Sequence, residues 1–101
     1  MIKVVKFTFA AQKDIETIYD YTLDTWGPAQ ADHYLKLLEV QINNVPSGIS
    51  VTRRFNTWRE GGIVTSAGRH KIFLLETETE FLVVRILHQS RDFLRHLSTV
   101  T

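Results

Sequence analysis

The spacing of apolar and polar positions changes several times along the chain, and each change marks an element. Ile2-Lys3-Val4-Val5-Lys6-Phe7-Thr8 alternates well enough for a first strand. From Ala10 the spacing turns helical. Ile15, Ile18, Thr22 and Trp26 fall at i, i+3, i+7 and i+11, while Lys13, Asp14, Glu16, Asp20 and Asp24 take other positions. Gly27-Pro28 predicts the stop of this helix and the start of the next, since Gly suits a helix end and Pro a first turn. The second helix places Ala31, Tyr34, Leu35, Leu38, Ile42 and Val45 on one face and ends near Pro46-Ser47-Gly48. Trp26 and Tyr34 each continue a stripe, so both are expected in the core rather than on a recognition surface.

The remainder reads as sheet. In residues 51–68, Phe55, Trp58, Ile63 and Val64 suggest a short strand interrupted by Gly61-Gly62 and Gly68. His70 to Leu75 is a strand, Glu76-Thr77-Glu78-Thr79-Glu80 a polar turn, and Phe81 to Leu87 the returning strand of a β-hairpin. Phe93 and Leu97, four apart, predict a final helical turn docked on the core. The expected order is β-α-α-β-β-β with a short C-terminal helical turn. This is an α+β fold in which a small, antiparallel-rich sheet carries the helical hairpin on one face.

The chain has 101 residues, one domain's worth, and 44% of them are hydrophobic against 23% charged, an ordinary globular balance. It holds no cysteine, which excludes disulfides and thiolate metal sites and suits a reducing cytoplasm. Met1-Ile2-Lys3 leads directly into the first strand, so no secretory leader is expected, and no apolar run reaches the roughly 18–20 residues of a membrane span. Charge is divided unevenly. Residues 1–50 carry four Lys against six acidic groups, net −2, and residues 51–101 carry seven Arg and one Lys against five, net +3. Every arginine lies in the second half, which points to an acidic or phosphate-bearing partner.

Few motifs carry chemistry. His33, His70, His88 and His96 lack metal-ligand spacing, Glu76, Glu78 and Glu80 alternate in a turn, and Gly61-Gly62 lacks the Lys and helix of a phosphate loop. No cofactor is expected. Arg85 sits inside an apolar strand, and an unpaired charge there is costly, so pairing with an acid of the first helix is expected. His88 is expected to end its strand and hydrogen-bond locally. A helical turn would put Arg91 and Arg95 on one face, with Phe93 and Leu97 on another.

Four stretches, in order, resemble the ParE branch of the RelE/ParE toxin superfamily of type II toxin–antitoxin pairs. They are FTFAAQKDIETIYDYTLDTWG (7–27), PAQADHYLKLL (28–38), GRHKIFLL (68–75) and VVRILHQSRD (83–92). The last resembles the family's R-I-L-H-x-x-x-D ending, here Arg85-Ile86-Leu87-His88 with Asp92. The resemblance implies a cytoplasmic toxin that inhibits DNA gyrase by binding, without catalysis. It also implies a cognate ParD-like antitoxin, held in a toxin–antitoxin hetero-oligomer, and no direct nucleic-acid binding. The residues expected to meet gyrase or the antitoxin are Arg59, Arg69, His70, Arg85, His88, Arg91 and Arg95. Two alternatives stand beside this reading. One is a RelE-like ribosome-dependent mRNA interferase, for which His88 with Asp92 is the candidate base, although no tyrosine follows Tyr34. The other is an antitoxin-binding module without toxicity.

Overall fold

A computed structural model describes residues 3–97. Ile2 of the expected first strand lies outside them. The elements are β1 (Val4–Phe7), α1 (Phe9–Trp26), α2 (Pro28–Asn43), β2 (Arg53–Arg54), β3 (Gly62–Ala67), β4 (His70–Glu76), β5 (Glu80–His88) and α3 (Phe93–Leu97). The strands form one sheet in the order β1-β5-β4-β3-β2. The α+β arrangement predicted from the sequence is therefore present, with the two-residue β2 in addition. The sheet is mixed, because β1 runs parallel to β5 while the other neighbours are antiparallel. Periodicity marks a strand but not the direction of a partner more than seventy residues away.

Thr8 joins the first strand to the first helix. Its hydroxyl accepts from the Ala11 N–H at 3.0 Å, capping α1, and donates to the Val84 carbonyl at 2.8 Å. At the other end Gly27 adopts φ +93°, outside the range β-carbon residues favour, and its N–H closes on the Leu23 carbonyl. Pro28 then opens α2.

The hairpin covers one face of the sheet. Leu38 and Ile42 of α2 pack with Ala11, Ile72, Leu74, Val83 and Ile86 in the larger core. A smaller core fills the opposite face, where Phe73, Leu87 and Leu97 meet Phe55, Trp58, Val64 and Phe93. Phe55 and Trp58 thus belong to a turn folded over the sheet rather than to a strand. Val83 and Ile86 both face the helices although they are three apart, which regular alternation forbids. A register shift resolves this: Phe73 pairs with Arg85 and Leu74 with Val83, so β5 carries one extra residue.

One core assignment is corrected. Trp26, expected to be buried, is 70% exposed. Thr8 is tied to Val84 and Asp14 to Ile86, so α1 advances along β5 toward His88. The twelve residues after Asp14 span about 18 Å, whereas only Leu87 and His88 of β5 remain, about 7 Å. The hairpin tip overhangs the sheet, which leaves Trp26 mostly exposed. Tyr34, by contrast, is partly buried against the larger core.

Candidate partner-binding site

Residues singled out in the sequence converge where β3 turns into β4 and β5 ends. Ala67 pairs with His70 and His70 with His88, which brings the Gly68-Arg69 turn beside the start of the C-terminal segment. The Gln89 N–H donates to the Arg69 carbonyl at 2.8 Å, and the Arg91 N–H to the His88 carbonyl at 2.9 Å. Arg69, Arg91 and Arg95 are exposed here, on backbone held by the sheet. Arg91 lies in the turn before α3, not on a shared helical face with Arg95 as expected. The reason is Asp92, which precedes the helix and accepts from the Arg95 N–H at 3.5 Å, so the helix begins only at Phe93. The Arg91 guanidinium instead lies 3.5 Å from His96 Nε2.

The histidines here are held by neighbours. Tyr34 reaches over from α2, where its hydroxyl accepts the Arg69 N–H at 2.9 Å, lies 3.4 Å from the Ala67 carbonyl and pairs with His70 Nδ1 at 2.6 Å. Burial pushes His70 down to about 4, with repulsion from His88 adding and Asp14 opposing. The two imidazoles stand perpendicular, 5.4 Å between centroids. His88 ends β5, and its Nδ1 accepts from the Ser90 N–H at 3.1 Å and lies 2.8 Å from the Ser90 hydroxyl. Local hydrogen bonding at the strand end is what the sequence predicted for it.

Arg85 also follows expectation. Its Nε and NH2 donate to the two carboxylate oxygens of Asp14 at 2.7 and 2.9 Å, a bidentate pair, and Asp14 accepts the Ile86 N–H as well. The carboxylate holds the guanidinium pKa above its usual value, against desolvation. Arg59 is not part of the cluster. It precedes Gly62, which pairs with Leu75 at the opposite end of β3, about 17 Å away along the strand. There its guanidinium lies 5.9 Å from the Trp58 ring. Sequence reasoning missed Tyr34 as the organiser of this region, because a hydroxyl bond spanning 36 residues leaves no periodic trace.

Comparison with known proteins agrees with this fold. Residues 5–93 match the family model described as the ParE toxin of the type II toxin–antitoxin system parDE. The chain is 39% identical over 89 residues to a protein named Toxin ParE1 from Mycobacterium tuberculosis, covering 87% of this chain and 91% of that one. It is 25% identical to Toxin ParE1 of Caulobacter vibrioides over 95% of this chain and 99% of that one. A solved structure titled as the chromosomal ParDE TA system from P. aeruginosa superposes with a TM-score of 0.71 at 16% identity, covering 86% of this chain and 96% of that one. The ordered stretches, the hairpin-on-sheet fold and the near-complete match agree: the chain belongs to the ParE toxin family of type II toxin–antitoxin systems.

Proposed function

We propose that this toxin acts in the cytoplasm by binding DNA gyrase and trapping it on cleaved DNA, without catalysing a reaction, and that a ParD-like antitoxin neutralises it in a hetero-oligomer. The observation that carries the reading is the exposed basic edge of Arg69, Arg91 and Arg95 on sheet-anchored backbone. Guanidinium groups presented this way suit charge-assisted hydrogen bonds to a protein partner. The non-enzymatic part is supported by the engagement of the nearby acid–base groups. Tyr34 is spent between Arg69 and His70, His70 Nδ1 is occupied, and His88 Nδ1 is held by Ser90. A general acid–base pair needs side chains within reach of a substrate proton.

A supercoiling assay with purified gyrase tests the proposal. Inhibition with accumulation of cleaved DNA is expected. No effect at saturating protein, together with site-specific mRNA cuts in a translation extract, would replace this reading with the interferase.

A further inference from the structure

The Gly68-Arg69 turn is held from outside its own strands. Tyr34 lies on the same stripe of α2 as Leu38 and Ile42, which are 1% and 2% exposed. Its ring therefore stands on a helix already docked on the sheet. The hydroxyl sits over the turn, 2.9 Å from the Arg69 N–H, 3.4 Å from the Ala67 carbonyl and 2.6 Å from His70 Nδ1. The approach is so close that a β-carbon on Gly68 would stand 2.6 Å from that hydroxyl. On the other side, the Arg69 carbonyl accepts from the Gln89 N–H at 2.8 Å. Both backbone groups of Arg69 are thus tied, one to α2 and one to the segment after β5. Its side chain is not. Arg69 is exposed, and among the described residues no ion pair neutralises its guanidinium.

A tie of this kind matters more for binding than for folding. The bond between the Arg69 N–H and Tyr34 is exposed, so water replaces a lost partner there at small net cost. Water does not replace the order. An untied turn residue gives up its backbone freedom only on meeting a partner, which costs a factor of roughly 5–30 in affinity. We propose that Tyr34 is a positioning residue for target binding: it holds the Arg69 backbone so that the unpaired guanidinium is pre-ordered to meet a carboxylate of the target protein. This role rests on reading the basic edge as the target-binding surface. It adds to that surface a residue that acts through Arg69 rather than by contact.

Tyr34→Phe removes the hydroxyl and keeps the ring, which packs on the larger core and meets His70 edge-on. The variant should melt within about 8 °C of the wild type, while hydrogen exchange at the Arg69 amide quickens. In the gyrase supercoiling assay it should inhibit roughly 5–30-fold more weakly. A merely structural Tyr34 would give the same loss with or without the Arg69 side chain, so the double variant decides. Added to Arg69→Ala, Tyr34→Phe should cost no more than about twofold beyond Arg69→Ala alone, because an ordered turn without its guanidinium presents nothing. Losses that multiply in the double variant overturn the proposal and leave the gyrase reading standing. Wild-type inhibition by Tyr34→Phe does the same, and so does an Arg69 amide that exchanges in the wild-type protein as fast as in an open chain. If the wild-type protein leaves gyrase unaffected at saturation, the gyrase reading and the role of Tyr34 fall together.

Discussion

Asp14 does more than neutralise Arg85. One carboxylate satisfies a guanidinium in two places and a strand N–H beside it, so its removal strands both at once. Side-chain exposures of 19% for Arg85 and 15% for Asp14 leave little water to replace it. Asp14→Ala is expected to cost about 2–4 kcal/mol in urea unfolding. Replacing both partners by leucine should recover part of that, since neither charge is then left unpaired. His70 gives a pH signature at the same scale. Its folded value near 4 lies below the 6.5 of a free imidazole, so the unfolded chain binds more protons between those values. Stability is then full above about pH 6.5 and falls as pH drops toward 4, by up to about 1.4 kcal/mol per pH unit. Unfolding titrations of wild type and His70→Asn across this window should differ by that slope. Parallel curves would show that His70 titrates normally.

At the scale of elements, the hairpin and sheet are locked at the β3–β4 turn. Gly68 adopts φ +57°, and a β-carbon there would stand 2.6 Å from the Tyr34 hydroxyl. Gly68→Ala therefore combines an unfavourable backbone with a collision against the ring that holds Arg69 and His70. A loss of about 2 kcal/mol or more is expected from thermal melts. Trp26→Ala should do almost the opposite of what its helical stripe suggests. A buried Trp would cost about 3–5 kcal/mol, but an overhanging one should change stability by no more than about 0.5 kcal/mol. α3 illustrates a third case. Phe93 and Leu97 dock on Phe73 and Leu87 as their spacing predicted, while Asp92 delays the helix and leaves Arg91 in the preceding turn.

For the whole molecule, exposed positive charge gathers at one end of the sheet. Arg69 and Arg91 sit at the His88 end of the sheet, and Arg95 follows on α3. Arg91→Ala combined with Arg95→Ala is expected to relieve growth arrest on expression without antitoxin, while the circular dichroism spectrum and melting temperature stay those of the wild type. Full toxicity in that double variant would remove the C-terminal edge from the proposed mechanism.

Local pattern alone determined much of this protein. The alternation at 70–75 and 81–87, the two helical stripes and the Gly27-Pro28 break each encode an element, because burying one face imposes a repeat on the residues that carry it. Arg85's need for an acid was legible in the same way, since a charge among valines and isoleucines is costly without a partner. Direction, partner and reach were not. The parallel pairing of β1 with β5, the bulge that turns Val83 and Ile86 to one face, and the overhang that exposes Trp26 depend on how finished elements lie on one another. So does the Tyr34–His70–His88 cluster. VVRILH announced a buried strand with a paired arginine from its composition. That QSRDFLRHL starts beside Arg69, with one arginine in a turn and one on a helix, was decided only when the sheet brought residues 69 and 89 together.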